Sequence, residues 1–404
     1  MHKVILMSTL LSNTMNAPCI IGWGHTAFGK HDHQTLESLM IKVSQQALEH
    51  SGIEARDIDE IVLGHFNAGL SKQDFTASLV LNAHPELRFK PATRVENACA
   101  TGSAAIAQGL KTIQAGLGRI VLVVGVEHMS DVKPEDITSN LLKASYLPED
   151  GEQHAGFAGI FADIAADYFT HFGDQSGALA KIAVKNHLNA MRNPFAHMHK
   201  ELSYDFCYQP SEKNPYVAGV LKRTDCSLVS DGAAALVLCD AQTAIGRPQA
   251  VRFRAFEHVQ DFLPRHHRNV LLFEGAKRAW SNAFTNSGIT LKDLSCVEVH
   301  DCFTIAELLS YEAMGLTPHG QGMRAVHEGL VLRQGILPVN LSGGLKAKGH
   351  PIGATGVSMH VMNAMQVSGR APDALQLHNA TLAAAFNMGG VAVANYVSIL
   401  EGIH

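Results

Sequence analysis

The chain has 404 residues, 46% hydrophobic and 17% charged, with a formal net charge of −5. That length suits about two or three domain-sized units around a large core, and the weakly negative balance offers no basic field to gather nucleic acid. No apolar run approaches the ~20 residues of a membrane helix, so no membrane-spanning helix is expected.

In chain order, the opening MHKVILMSTLLSNTMN has one Lys and a short apolar stretch, without a cleavage motif or the arginines of a transit peptide. It is expected to be an N-terminal extension, residues 1–16, and not an export signal; the C-terminal EGIH is no peroxisomal address. From Ala47, ALEHSGIEARDIDEIVLG predicts a helix closed by Gly52 and then a strand. ATRVENACATGSAAIAQGLKTIQAG follows as strand, turn and small-residue helix, then RIVLVVGV as a strand. Residues 129–223 are polar, Pro- and His-rich in places, and too long for a connecting loop, which predicts a lid or inserted domain before the strand AAALVLCD.

The pattern then repeats. AFTNSGITLKDLSCVEVH from Ala283 matches the Ala47 segment, with Ser-Gly-Ile at the helix end and an Asp six residues after the Ser (Asp57, Asp293). PVNLSGGLKAKGHPIGATGVSMHVMNAMQ supplies a second turn and small-residue helix, and DALQLHNA and VAVANYVSIL read as the closing strands. Alternating strands and helices imply an α/β fold with covered sheets, and helices so rich in Gly, Ala and Ser are expected to be buried between layers.

The duplication brings candidate chemistry into focus. Cys99 opens the first small-residue helix, where unpaired N–H groups and the helix dipole favour thiolate, although a buried free cysteine is often inert. His350 occupies the equivalent turn of the second half, and a pseudo-twofold packing would carry it to Cys99 as a general base. His300 and Cys302 leave the end of the strand Val297–Val299, where sites form in open sheets, and a second thiol there could move a proton at carbon. Asp301 between them reads as structural. Gly389 and Gly390 allow the backbone close to a ligand; the Met388 and Cys99 N–H groups could form an oxyanion hole there, or the segment could be a plain glycine turn. The seven cysteines contain no CxxC pair, which argues against disulfides and zinc and fits a reducing, cytoplasmic setting. No metal site is expected among the 23 histidines either.

NACATGSAA, HDCF, GHPIGATG and the Gly-rich C-terminal turn stand in the order seen in thiolases, and the chain from about Ala17 to Leu400 resembles that family. It is most similar to the sterol-carrier-protein-type thiolases, in which HDCF stands where the common enzymes have an Asn-Glu motif. The common enzymes also carry a second catalytic Cys before the C-terminal glycines, and near Phe386 there is none. The resemblance implies a duplicated fold in five αβαβα layers, with halves 17–128 plus 224–245 and 246–404 and the 129–223 insertion holding coenzyme A. It implies that Cys99 carries the acyl group, His350 activates it, Cys302 supplies the missing thiol and His300 stabilises the thioester oxygen. It further implies acyl-CoA and CoA as substrates, no tightly bound cofactor, and a homodimer or tetramer. The alternatives are a condensing enzyme or acyltransferase with another acceptor, and a non-catalytic acyl-CoA-binding subunit.

Overall fold

The computed structural model describes residues 17–403, so the extension expected over residues 1–16 lies outside the described residues. The strands are β1 (Cys19–His25), β2 (Glu60–Gly64), β3 (Ala92–Val95), β4 (Ile120–Glu127), the hairpin β5 (Tyr216–Ala218) and β6 (Leu221–Lys222), β7 (Gly232–Cys239), β8 (Val251–Gln260), β9 (Cys296–Val299), β10 (Leu382–Gly389) and β11 (Ala394–Gly402). The principal helices are α1 (Leu36–Ser51), α2 (Thr101–Gln114), α3 (Phe157–Phe172), α4 (Ser176–Ala190), α5 (Glu274–Ser287), α6 (Thr304–Ala313) and α7 (Ile352–Val367).

Nine strands connect in the order β3-β2-β4-β7-β1-β8-β11-β10-β9. The seam between β1 and β8 is only two residue pairs wide, Cys19 with Arg252 and Ile20 with Val251. Outward from it, one side runs β1-β7-β4-β2-β3 and the other β8-β11-β10-β9, continued by a parallel bridge from Val297 to Val339. Each side therefore has the same connectivity, with the last of its strands in sequence antiparallel to both neighbours and its outer pairs parallel. The repeated Ser-Gly-Ile is the local trace of this duplication: Gly52 (φ 63°) and Gly288 (φ 69°) both end their helices in the left-handed conformation that glycine reaches without strain.

Side-chain alternation along the strands builds the layers. On β4, Leu122 and Val124 face α1 residues Leu39 and Val43, whereas Val121 and Val123 face a central cluster with Ile106 of α2 and Val357 of α7. Phe253, Ala383 and Leu400 of the second sheet close that central cluster from the other side. Trp280 of α5 and Ile305 of α6 cover its outer face. The order is helix, sheet, helix, sheet, helix, and every residue of α7 is buried. At Gly102 the central helices touch backbone to backbone, since a Cβ there would lie 2.7 Å from the Val357 nitrogen.

One expected strand is absent. DALQLHNA is irregular, and the strand begins at Leu382. Side chains satisfy its backbone in place of a ladder: Arg333 donates to the Leu375 and Gln376 carbonyls, and Gln366 donates to Leu375. Between β4 and β7 the chain forms α3, α4 and the β5–β6 hairpin, with α3 and α4 packed against α6. No described helix is long and apolar enough to cross a membrane.

Candidate active site

The β3–α2 turn presents Cys99. Ala98 holds φ 50°, a conformation uncommon for residues other than glycine, and the Asn97 N–H donates to Thr101 Oγ1 at 2.8 Å. The thiol faces a cavity of about 70 Å³ whose walls include Phe66, Phe157, Phe161, Cys302, His350 and Gly390. His350 sits in the turn that starts α7, beside the start of α2, and His300 leaves the end of β9. Cys99 Sγ and one ring nitrogen each of His300 and His350 lie within 4.8 Å of one another. The two rings are perpendicular, with centroids 5.0 Å apart. The structure thus brings together the four side chains singled out from sequence.

Each imidazole is anchored through Nδ1, His350 on Thr355 Oγ1 at 2.7 Å and His300 on Asn387 Nδ2 at 2.9 Å. The Nε2 atoms are buried without a partner in the protein, which leaves them for a substrate. Zinc takes thiol and imidazole donors, but ligating histidines commonly donate their other N–H to a carboxylate or carbonyl. Here a hydroxyl and an amide group stand in those places, an arrangement suited to handling protons.

Electrostatics differ from the expected helix-terminus thiolate. Burial pushes the Cys99 thiol up to about 12, and a hydrogen bond from the Gly390 N–H offsets this only in part. Helix α2 starts at Thr101, with Ala100 as its cap, so Cys99 precedes the first turn and desolvation outweighs the dipole. Cys302 is held well above the usual thiol range by burial and by Cys99. Burial, with Lys348 adding to it, lowers His350 to about 3, and His300 is likewise driven well below the ordinary imidazole range by burial and His350. The site is therefore a set of neutral thiols and neutral imidazoles.

Met388 lies within β10 opposite Asn395, its side chain in the core, and the N–H groups that reach the sulfur are those of Gly390 and of Cys99 itself. A Cβ on Gly389 would meet the Asn97 carbonyl at 2.6 Å, so these glycines do bring the backbone against the nucleophile turn. Asp301 does not cap α6; its carboxylate accepts the Leu345 and Lys346 N–H groups and the Asn186 amide. Sequence reasoning missed Asn387, whose Nδ2 also lies 3.1 Å from the Cys99 carbonyl. The available signal was its position, just before the C-terminal glycines where the common thiolases place a cysteine.

Residues 19–203 match the family model described as thiolase, N-terminal domain, and residues 260–402 match thiolase C-terminal domain-like. The chain is 34% identical to an acetyl-CoA acetyltransferase of Methanothermobacter thermautotrophicus over 379 residues, covering 93% of this chain and 97% of that one. It belongs to the thiolase family. As a thiolase-family member it is an acyltransferase-type enzyme. Human sterol carrier protein 2 is 29% identical over 93% of this chain and 70% of its own length. Among solved structures, an Ltp2–ChsH2(DUF35) aldolase superposes with a TM-score of 0.81 at 20% identity, covering 96% of this chain and 98% of that one. Human mitochondrial 3-ketoacyl-CoA thiolase in complex with CoA gives 0.71 at 16% identity, over 96% and 99%. At such identities these two likenesses speak for the fold.

Proposed function

We propose that this thiolase-family enzyme cleaves 3-ketoacyl-CoA to acyl-CoA and acetyl-CoA, or runs the reverse Claisen condensation, through a Cys99 acyl-enzyme. The observation that carries the proposal is the convergence of Cys99, His300 and His350 within 4.8 Å beside Cys302 in one buried cavity. His350 Nε2 takes the Cys99 proton as the sulfur attacks the 3-keto carbon. The bond between carbons 2 and 3 breaks, its electrons pass to the thioester as an enolate, and Cys302 gives its proton to carbon 2. The protonated His350 and the neutral His300 donate to the thioester oxygen, after which the His350 proton restores Cys302. CoA then attacks the acyl group; its thiol proton passes through His350 to the departing Cys99 sulfur, and both halves of the reaction balance. Because the resting thiol and imidazole are neutral, proton transfer and attack proceed together, with no stored thiolate.

In this reading residues 17–128 with 224–245 and 246–404 are the catalytic halves, and the 129–223 segment, which contributes Phe157 and Phe161 to the cavity, holds coenzyme A. The free state of all seven cysteines supports a reducing, cytoplasmic setting. A homodimer is supported by β3, an outermost strand of the sheet, near which Phe75 and Phe89 are 80% and 84% exposed. The test is intact mass after acetyl-CoA: the wild-type chain gains one acetyl group and Cys99→Ala gains none. Acylation of Cys99→Ala would remove the central claim.

A further inference from the structure

Asn387 touches the nucleophile's backbone and one catalytic imidazole at once, and the steps above leave it unused. We propose that Asn387 is a positioning residue that fixes His300 as the Nε2–H tautomer, so that His300 is a standing donor while His350, held the opposite way, is the base. The donor's purpose rests on the thiolytic reading; the tautomer does not.

The amide orientation is settled at both ends. Nδ2 lies 3.1 Å from the Cys99 carbonyl, which can only accept, and Oδ1 lies 2.8 Å from Ser103 Oγ, which donates. One Nδ2 proton serves Cys99. The other points at His300 Nδ1, 2.9 Å away, and a donor there requires a lone pair on that nitrogen. A neutral imidazole carries one proton, so it resides on Nε2, which is buried and aimed into the site without a protein partner. His350 shows the reverse. Thr355 Oγ1 gives its proton to the Pro351 carbonyl at 2.9 Å and so accepts from His350 Nδ1 at 2.7 Å, leaving the lone pair on Nε2. Two perpendicular rings 5.0 Å apart thus present one donor and one acceptor to the same substrate. Burial keeps both rings neutral, which preserves the distinction. A zinc ion on the trio would need the lone pair that the Asn387 amide places on the other side of His300.

The experiment is nitrogen NMR of histidine-labelled protein, with the His300 signals assigned by their loss in His300→Gln. The wild type should show a protonated Nε2 and a bare Nδ1 at His300, and Asn387→Leu, which removes the amide at similar size, should release that preference. Ser103→Ala, which frees the amide to turn, should weaken it. In kinetics Asn387→Leu should slow carbon–carbon cleavage by about a hundredfold, the loss of one oxyanion donor. A protonated Nδ1 at His300 in the wild type, or an unchanged tautomer in Asn387→Leu, would overturn the proposal. Should Asn387→Leu fail to fold, the wild-type and Ser103→Ala spectra decide. A wild type with the expected tautomer and no acylation would refute the thiolytic reading alone.

Discussion

Replacing Gly102 by Ala isolates the contact that holds the two halves of the site together. Gly102 is the second residue of α2, and in an exposed helix this change gains up to about 1 kcal/mol from propensity. Here the added methyl would sit 2.7 Å from the Val357 nitrogen and 2.9 Å from both the Gly353 carbonyl oxygen and the Gly356 nitrogen, all backbone atoms of α7 and its first turn. Ordinary contact begins at 3.4 Å, so the helices must separate by about 0.7 Å. Overpacking of this kind costs about 1–3 kcal/mol, which offsets the propensity gain and leaves a net loss of up to about 2 kcal/mol. The same separation moves Cys99, at the start of α2, away from His350, at the start of α7. Since a misplacement of about 1 Å can slow a positioned reaction about a hundredfold, acetylation should fall roughly tenfold or more. Urea unfolding and time-resolved intact mass measure the two effects. Gly29→Ala, where a Cβ meets nothing within 4 Å, should leave both unchanged. A Gly102→Ala protein of wild-type stability that acylates at the wild-type rate would refute backbone contact between the helices.

Cys302→Ala should retain acetylation of Cys99 and lose carbon–carbon cleavage by about 10²–10⁴, the range for a general acid–base group; full cleavage activity would remove Cys302 from the mechanism. Because burial holds Cys99 at about 12, its alkylation by iodoacetamide in the free protein should be slow at pH 7 and climb steadily above pH 9. A rate plateau between pH 5 and 8 would instead reveal a thiolate–imidazolium pair. His25, His350 and His360 are lowered from 6.5 to about 3, 3 and 4, so below pH 6.5 the unfolded chain binds protons that the folded chain refuses. Stability should therefore fall on acidification, by up to about 1.4 kcal/mol per pH unit for each histidine until its folded value is reached. The urea midpoint followed from pH 7 to pH 5 checks this, and a flat profile would contradict the burial of these rings.

The features that the sequence made legible share a physical property: each is dictated within a few residues. A strand that ends, a small residue and then a helix is enough to announce the turns of Cys99 and His350, and Gly52 and Gly288 announce the duplication through a backbone conformation that glycine favours. What stayed hidden depends on residues far apart in the chain. Asn387 meets Cys99 across 288 positions, and its place before the C-terminal glycines marks the position without showing which groups it meets. Glu127 is another such case, for its buried carboxylate accepts the N–H groups of Phe66, Asn67 and Gly353 and so ties β2, β4 and the start of α7 together behind the site. The error over Cys99 has the same origin. The helix start is a local cue favouring thiolate, while the aromatic wall of Phe66, Phe157 and Phe161 that desolvates the sulfur is assembled from distant segments. In a cavity of about 70 Å³ that assembled desolvation is the larger effect. Charge separation at Cys99 then has to await the electrophile, and on the proposed reading the donors placed by Asn387 and Gly390 would meet the new negative charge where it forms.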